Sequence, residues 1–455
     1  MNFKKSLALL VISCMTVVTA ACGQQAKDTS SEPSDTSGKP VELTFWHSMD
    51  GVYSEILQKQ VDQFNNTIGT DKNIKVTPVF QAFPGTSSLT AAMASDDIKN
   101  MPDVIQIYGE NVSLLRDYKR TVWVEDYITS ADATVKKDNL IPNAVSSFSI
   151  DGKLLGAPYN MSALMLYYNK TYLKEAGYEN PPLTIAQMAE MLPNLTTKTD
   201  AKFGLNVRVN QFELENWIAT QGTNGTYFGN NESGHTGYMN EFTSAKDDSL
   251  KKYLNEWKKV VDSGAYKATR DSINEEFAAG MHAMVIMNGS RIPTISNLVD
   301  DQFEWDVAPI PTVSSTDIGG AFPSGSGLFM LDRDDEAKKA ASWLFIQHML
   351  SAETQTMWLE GTGYVPVNIQ STELEEYKRF IASDPKSAAP YKVLMQSKPN
   401  IIAAFVPNPE EVNDVIKNAM LQFGEGSADV EATYRAITGG IEKAFADYYR
   451  ANPIN

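Results

Sequence analysis

The sequence predicts an α/β protein whose folded part consists of two lobes, and three observations lead to this prediction. Residues 41–455 are too many for one ordinary hydrophobic core. Two stretches of the chain alternate between strand-like and helix-like patterns, as parallel α/β sheets do. These stretches are set apart along the chain, so each predicts a sheet of its own.

The first stretch is a succession of strand, helix, strand, helix and strand. The segment VELTFW alternates as a half-buried strand does, and Leu57, Val61 and Phe64 have helical spacing. The other elements are a strand at 74–76, a helix through 89–93 and a strand at 104–107. This order predicts a parallel sheet at the start of the folded part.

The second stretch repeats this kind of pattern. Its predicted elements are a strand at 164–168, a helix at 185–192, a strand at 203–205 and a strand at 283–287. The end of the chain is predicted to be helical. Asn408 and Pro409 favour the start of a helix that ends at Gly424. A last helix follows, with a bend expected at Gly439-Gly440.

The chain begins with a pattern typical of an exported protein. Lys4 and Lys5 precede an apolar run at 7–21. That run is shorter than the ~20 residues that a membrane-spanning helix needs. A basic start, a short apolar middle and small residues before a cut describe a signal peptide, which we expect at 1–21.

Cys22 directly follows the predicted signal peptide. The Ala-Ala-Cys sequence resembles a bacterial lipoprotein signal, although Thr19 stands where that motif usually has Leu. The resemblance implies that lipid, palmitate included, is attached to Cys22; an ordinary secretory signal cut nearby is the alternative. Residues 23–40 contain no large apolar side chain, so we expect 22–40 to form a flexible tether.

The composition is that of an acidic protein. The formal charge is −17, and it becomes −19 when Lys4 and Lys5 are removed (−17 − 2). This charge argues against nucleic acid and anionic lipid as partners. Four histidines, and no cysteine after Cys22, leave little scope for a transition-metal site, so neither a metal nor a cofactor is expected.

No catalytic motif is found in the sequence. It contains no phosphate-binding GxxxxGK[ST] loop, no HExxH, no GxSxG and no EF-hand loop. A pair of carboxylates for glycoside hydrolysis stays open as an alternative, because 56 acidic residues always allow some pair.

Aromatic and polar residues follow two of the predicted strands. Trp46 and His47 come at the end of the first strand, and Tyr108 and Glu110 come after the third. Ligands of α/β sheets bind outside the carboxyl ends of the strands. An aromatic ring offers a flat apolar face to a sugar, and a carboxylate accepts hydrogen bonds from its hydroxyls. The alternatives are a core tryptophan and a solvated loop charge.

Four segments carry a resemblance to a known family. They are TFWHSMDG at 44–51, KLLGAPYNMSALMLYYNKT at 153–171, FAAGMHAM at 277–284 and GTGYVPV at 361–367. In this order they resemble the extracellular solute-binding proteins of ABC importers, of the family-1 type that includes maltose-binding proteins. The pattern is most similar to the glycerol-3-phosphate-binding branch of that family.

The resemblance implies a two-lobe periplasmic-binding-protein fold with a hinge and a ligand cleft between the lobes. The chain would cross between the lobes near Pro158, near 321–327 and near 368–374. The implied first lobe is 41–157 plus 323–372. The implied second lobe is 158–322 plus 373–455.

The resemblance also implies ligand contacts, which are carried over position by position. The matching residues are Ser162, Asn288, Ser290, Gly325, Ser326, Tyr364 and, with a shift of one residue, Glu110. Phe212 and Trp217 match a region whose aromatic residues reach the cleft, although either could be a core residue.

Two departures from the glycerol-phosphate branch affect the predicted ligand. Its early tyrosine falls at Phe83 or Pro84, and its phosphate-contacting arginine falls at 404–406, where Phe405 offers a ring instead. Arg291 is the cation that could substitute. A phosphate enclosed without a cation would lose several kcal/mol. The sequence therefore favours a neutral sugar.

The predicted function is capture rather than catalysis. We expect an extracytoplasmic lipoprotein, a monomer on the outer face of the cytoplasmic membrane, that delivers a carbohydrate, favoured as an oligosaccharide, to the permease subunits of an ABC importer. The alternatives are a glycerol-3-phosphate or glycerophosphodiester ligand, a secreted carbohydrate-active enzyme, and a sensory protein that presents its ligand to a receptor.

Overall fold

The computed structural model describes residues 38–83 and 85–453. The predicted signal peptide, Cys22 and the predicted tether up to residue 37 lie outside the described residues, as does Pro84. Residues 40–455 form one compact unit.

Thirteen strands are present among the described residues. They are β1 (Val41–His47), β2 (Ile74–Phe80), β3 (Val104–Tyr108), β4 (Thr121–Val122), β5 (Ser149–Ile150), β6 (Lys153–Leu154), β7 (Ala157–Ser162), β8 (Leu164–Asn169), β9 (Phe203–Asn206), β10 (Tyr266–Lys267), β11 (His282–Asn288), β12 (Trp305–Pro309) and β13 (Ser324–Leu331). The strands predicted from alternation lie where they were expected.

The helices cover the faces of the sheets. They are α1 (Gly51–Asn66), α2 (Ile68–Lys72), α3 (Thr86–Ser95), α4 (Ser113–Arg116), α5 (Glu125–Ile128), α6 (Pro142–Ser147), α7 (Lys170–Glu175), α8 (Ile185–Lys198), α9 (Gln211–Ala219), α10 (Asn230–Gly234), α11 (Ser249–Asp262), α12 (Ile273–Ala278), α13 (Ile292–Val299), α14 (Glu336–Met349), α15 (Ala352–Thr362), α16 (Glu375–Ser383), α17 (Ala389–Gln396), α18 (Pro409–Gly424) and α19 (Val430–Ala451).

The first sheet has the strand order β2-β1-β3-β13-β4, with β7 paired to β13. Strands β2, β1 and β3 are parallel, whereas β13 is antiparallel to β3. Phe45, on one face of β1, packs edge to face on Phe345 of α14, at 5.3 Å between ring centroids. This sheet and its helices are called the first lobe below.

The second sheet has the order β10-β9-β11-β8-β12. Strands β9, β10 and β11 are parallel, and β8 is antiparallel to both of its neighbours. A second hydrophobic core, with Leu205 and Met284 of the sheet and Trp257 of α11, covers it. This sheet and its helices are called the second lobe.

The chain passes from the first sheet to the second at Ala163, between β7 and β8, and returns between β12 and β13. The sequence predicts that the second lobe begins at residue 158. In the structure, β7 pairs with β13 of the first sheet as far as Ser162. The limits of the two lobes otherwise stay a prediction.

The two last helices differ in detail from the sequence prediction. Asn408 has φ = 54° and makes no side-chain cap to α18; its side-chain amide donates to Glu411 instead, at 2.6 Å. Helix α19 runs without interruption through Gly439 and Gly440, where a bend was expected. A Cβ at Gly440 would lie 2.5 Å from Val415, so the glycine allows α18 and α19 to pack closely.

Candidate functional site

The candidate site is built from segments that follow strands. In the first lobe, residues 48–50, 81–83 and 109–111 follow the parallel strands β1, β2 and β3. In the second lobe, the 3₁₀ turn Gly289–Arg291 follows β11. Because ligands of α/β sheets bind beyond the carboxyl ends of strands, these segments are where contacts are expected.

Asn160 of β7 is the centre of a buried polar group in the first lobe. Its side-chain oxygen accepts hydrogen bonds from Gln106 Nε2, at 3.1 Å, and from the Ser326 hydroxyl. Gln106 Oε1 in turn accepts from the backbone N–H of Ser48, at 3.1 Å. These bonds hold the ends of β1, β3, β7 and β13 together beneath the site.

The backbone conformation at position 325, where β13 pairs with β7, requires glycine. Gly325 has φ = 136°, and a Cβ there would lie 1.8 Å from the carbonyl oxygen of Asn160. A Cβ at Gly109 would lie 3.7 Å from the Gly325 oxygen, an ordinary van der Waals contact, so the requirement for glycine is at position 325.

The structure brings Ser162, Asn288 and Ser290 together. The backbone N–H of Ser290 donates to the Ser162 hydroxyl at 3.1 Å. The Ser324 hydroxyl donates to the Asn288 side-chain oxygen at 2.9 Å. Serine and asparagine side chains from both sheets therefore meet where the chain passes between the lobes.

Tyr364 lies beside this polar group. Its ring stacks on Trp358, at 6.0 Å between centroids, and meets Tyr53 edge to face at 5.7 Å. Burial raises the pKa of Tyr364, and the neighbouring Asn160 and Ser290 side chains oppose this shift to a smaller extent. An aromatic ring with a hydrogen-bonding end next to serines of both lobes can hold a polar ligand with an apolar face.

Tyr108 and Phe83 place two more rings near the site. Phe83 is 65% exposed and meets Tyr108 edge to face, at 5.1 Å between centroids. Burial raises the pKa of Tyr108 above its usual range, with smaller contributions from Tyr364 and Glu110. Tyr108, Tyr364 and Glu110 therefore belong to one neighbourhood.

Two carboxyl groups interact across this neighbourhood. The Glu110 side chain is exposed, yet desolvation raises its pKa, which indicates that it lies in a concave part of the surface. Glu215 of α9 is 4% exposed, and burial raises its pKa to about 8, with the Glu110 charge as a smaller cause. Glu215 accepts hydrogen bonds from Gln211 Nε2, at 2.6 Å, and from the N–H of Ala404, at 3.2 Å.

Glu215 was missed by the sequence analysis. A signal was present, because Glu215 stands in the segment FELENW, where charged residues alternate with large apolar ones on one helix. Every residue from Glu213 to Ala219 is buried. Burying a carboxylate in such a helix costs free energy unless the group has hydrogen-bond or charge partners. A buried carboxylate is therefore a candidate functional residue.

Arg291 brings a positive charge to the site. It interacts electrostatically with Tyr364 and with Tyr167, whose hydroxyl donates to the Asn288 carbonyl at 2.7 Å. Within residues 38–83 and 85–453, Arg291 forms no salt bridge. Its charge is therefore not neutralised by a neighbouring carboxylate of the described chain.

Trp217 and His47 are core residues, which corrects their prediction as ligand contacts. Trp217 is 0% exposed; its ring packs on Trp257 at 4.9 Å, and its indole N–H donates to the Pro311 carbonyl at 2.9 Å. His47 is buried next to Phe80, and burial lowers its pKa to about 4. His47 lies on the face of β1 that carries the buried residues Leu43 and Phe45. Trp217 lies in a stretch of α9 that is buried on all sides.

Trp46 lies on the other face of β1 from Phe45. It lines an open groove of about 440 Å³ beside α3, with Gln81, Ser88 and Asn100 among its neighbours. Its predicted ligand contact stays a prediction, since this groove is not the place where Tyr108 and Tyr364 meet.

Phe212 and Phe405 lie near Glu215. Phe212 is half-buried and meets Phe322 edge to face, at 5.4 Å between centroids. Phe405 is buried and stacks on His235 at 3.9 Å. Phe212 precedes Glu215 by three residues on α9, and Phe405 follows Ala404, whose N–H donates to Glu215.

Taken together, the site offers aromatic rings, hydroxyls, amides and two carboxyl groups that lie between two lobes. This arrangement defines a protein that binds a polar ligand by enclosing it between its lobes.

Comparison with known proteins identifies the class. The sequence profile of the family described as bacterial extracellular solute-binding protein matches residues 59–389. The sn-glycerol-3-phosphate-binding periplasmic protein UgpB of Agrobacterium fabrum is 23% identical over 409 residues, which cover 87% of this chain and 90% of that protein.

Two solved structures share the fold. The sugar-binding protein MalE from Xanthomonas citri has a TM-score of 0.73 at 19% identity and covers 91% of this chain and 100% of its own. UgpB from Mycobacterium tuberculosis, in complex with glycerophosphocholine, has a TM-score of 0.69 at 17% identity and covers 92% and 100%. Both support the two-lobe fold predicted from the sequence.

The chain belongs to the bacterial extracellular solute-binding proteins. It is an extracytoplasmic binding component of an ABC importer, and it is not an enzyme. In the described part of the chain, no helix combines the length and the apolarity needed to cross a membrane.

Proposed function

We propose that the site between the lobes captures a neutral carbohydrate, an oligosaccharide, and that the protein delivers it to the permease subunits of the importer. The observation that carries this proposal is the Tyr364 ring beside serine and asparagine side chains of both lobes, with Tyr108, Phe83 and Glu110 in the same neighbourhood. Sugar hydroxyls donate to carboxylates, and sugar rings stack on aromatic faces.

A phosphate ligand is disfavoured by the charge balance of the site. Enclosing a dianion without a cation is costly, and Glu215, whose pKa burial raises to about 8, is largely protonated at neutral pH and offers no positive charge. Phe405 stands at the position that the glycerol-phosphate branch fills with arginine, and its ring is already packed on His235. The side chain at this position is therefore apolar rather than basic.

A glycerol phosphate is the second candidate ligand. The curated relative from Agrobacterium fabrum is named for sn-glycerol-3-phosphate. Arg291, which has no salt-bridge partner among the described residues, is the cation that would have to bind the phosphate.

We further propose that the protein is a monomer held on the outer face of the cytoplasmic membrane by lipid on Cys22. The support is the sequence Ala-Ala-Cys after an apolar run, and a polar segment at 23–40 that can act as a tether.

The test is a thermal-shift screen of the full chain against neutral mono- to tetrasaccharides, maltotriose included, and against glycerol-3-phosphate and glycerophosphocholine. A compound at a hundred times its dissociation constant stabilises the folded state by about 2.7 kcal/mol. We expect a neutral oligosaccharide to give the largest shift, and Tyr364→Ala to abolish that shift.

Tyr448→Ala is the matched control, because Tyr448 is an exposed tyrosine on α19; it should leave the shift intact. A shift with glycerol-3-phosphate alone, lost in Arg291→Gln, would overturn the carbohydrate proposal in favour of the second candidate.

A further inference from the structure

A segment of the second lobe reaches across to the first lobe. It consists of residues 229–241, between β9 and β10, and is called the bridging loop. We propose that Arg116 and the bridging loop form a latch that holds the lobes closed and so sets ligand affinity without touching the ligand. The proposal rests on the capture of a ligand between the lobes, as proposed above.

Arg116, at the end of α4 in the first lobe, makes the central contact. Its Nη1 donates to the carbonyl of Gly237 at 3.0 Å, and its Nη2 donates to the carbonyl of Gly234. The guanidinium carbon also lies 5.0 Å from the centre of the Tyr238 ring. Hydrogen bonds from a charged donor are stronger than neutral ones, and an arginine over a tyrosine face adds to them.

The Arg116 guanidinium donates its hydrogen bonds to the bridging loop. In the described part of the chain it forms no salt bridge, although Arg120 in the same segment binds both Asp96 and Asp334. Arg120 therefore holds first-lobe elements to one another, whereas Arg116 holds one lobe to the other. This contrast gives the proposal a matched control.

Three further bonds cross between the lobes around Arg116. The Tyr238 hydroxyl donates to Asp117 Oδ2 at 2.6 Å. The N–H of Asp151 donates to the His235 carbonyl at 2.8 Å. The His235 ring nitrogen Nδ1 lies 2.9 Å from the carbonyl of Ser149. Contacts from two separate segments of the first lobe thus meet one short loop of the second.

The backbone of the bridging loop is strained where it prepares this contact. Asn231, Glu232 and Ser233 all have positive φ, at 54°, 52° and 57°. Three consecutive L-residues in this conformation are unfavourable, and such strain persists where the surrounding structure requires it. The turn is held by Ser233 Oγ, which accepts from the N–H of Phe228 at 2.8 Å. It presents the carbonyls of Gly234 and Gly237 to Arg116.

The latch is joined to the ligand site through Phe405. The N–H of Phe405 donates to the Ser233 carbonyl at 2.8 Å, and a Cβ on Gly234 would lie 2.9 Å from the Phe405 oxygen. The next residue back, Ala404, donates its N–H to Glu215. One continuous segment therefore contacts the latch on one side and the buried carboxyl group of the site on the other.

Closure is an equilibrium, and the apparent affinity for the ligand is proportional to the fraction of protein that is competent to close. A smaller competent fraction therefore means weaker binding. Bonds that exist only when the lobes approach each other shift this equilibrium toward the closed form. Removing the Arg116 guanidinium is expected to weaken ligand binding about tenfold or more, with faster dissociation.

The experiment uses the ligand-free full chain, so that it stands apart from the identity of the ligand. Small-angle X-ray scattering compares the wild type with Arg116→Ala, Arg116→Lys and Tyr238→Phe. We expect a larger radius of gyration for Arg116→Ala, and intermediate values for the two milder variants. Hydrogen exchange at the Asp151 amide should be at least about tenfold faster in Arg116→Ala.

Arg120→Ala is the control, and it should lower the melting temperature without changing the radius of gyration or the exchange at Asp151. The proposal is overturned when Arg116→Ala changes neither quantity, or when Arg120→Ala changes both equally. Failure of the carbohydrate screen leaves this outcome unaffected, because no ligand is added.

Discussion

Gly325 is the residue at which the backbone tolerates the least change. Gly325→Ala would place a Cβ 1.8 Å from the Asn160 oxygen at φ = 136°, so β7 and β13 would have to separate. We expect a loss of more than about 4 kcal/mol of stability, measured by urea unfolding, or failure to fold.

Gly439→Ala provides the comparison. Gly439 lies inside α19, and a Cβ there meets nothing within 4 Å. It should therefore increase stability by about 0.5–1 kcal/mol, as alanine does in a helix. Equal tolerance of both substitutions would show that β7 and β13 do not approach as described.

Glu215 gives a pH dependence of stability. Its pKa rises from 4.5 to about 8 on folding, because burial disfavours the charged carboxylate. The protonated group therefore contributes stability that is complete below pH 4.5 and is lost as the pH rises through about 8. Glu215→Gln should be more stable than the wild type at high pH, by on the order of a few kcal/mol, with little difference near pH 4.

The measurement is urea unfolding at a series of pH values. Glu190→Gln, an exposed position on α8, should run parallel to the wild type over the whole range. A stability difference for Glu215→Gln that is constant with pH would contradict a raised pKa at this residue.

At the scale of single elements, α9 carries both a core residue and a residue of the candidate site. Trp217 packs on Tyr253 and Trp257 of α11, whereas Glu215 interacts with Glu110. Trp217→Ala should cost about 3–5 kcal/mol of stability, because it leaves a cavity and an unpaired Pro311 carbonyl.

The second readout for Trp217→Ala is its affinity for the oligosaccharide that gives the largest shift in the thermal-shift screen. Calorimetry with Trp217→Ala, at a temperature where the variant is folded, should give the wild-type affinity. Lower affinity at unchanged stability would indicate instead that Trp217 contacts the ligand.

The strands and helices that could be predicted are those with a local pattern. Alternation located β1 and β2, and helical spacing located α1, because each buries mainly one face. Continuous apolar runs located β3 and β8, which are buried on both faces. Strand β13 could not be predicted in this way. Its first residues, SGSG, have no apolar period, and it pairs with β3 and β7, which lie far away in sequence.

The candidate site was predictable to the extent that it follows strand ends or family segments. Tyr108, Ser162 and Tyr364 fall in such segments. Tyr108 interacts electrostatically with Tyr364, and Ser162 and Tyr364 both lie close to Ser290. Trp217 and Glu215 show where this reasoning stops. Both lie on α9, and only packing decides which of them faces the core and which faces Glu110.

At the scale of the whole molecule, the two lobes differ in how they are joined. Ala163 alone separates β7 from β8, and the serine–asparagine contacts around Ser162 and Asn288 surround that passage. The bridging loop adds a second set of contacts through Arg116. The lobes are therefore joined by the chain itself at Ala163 and, by our proposal, held together by the latch at Arg116.

The position of β13 has a consequence for how the protein is made. In the described structure, β4 and β7 pair with no strand of the first sheet other than β13, which inserts between β3 and β4. As the chain emerges from the ribosome, the first lobe therefore cannot complete its sheet until residue 331 is available. Pairing between strands so distant in sequence is slow. A chain that has to cross a membrane before it folds would gain time from such a delay.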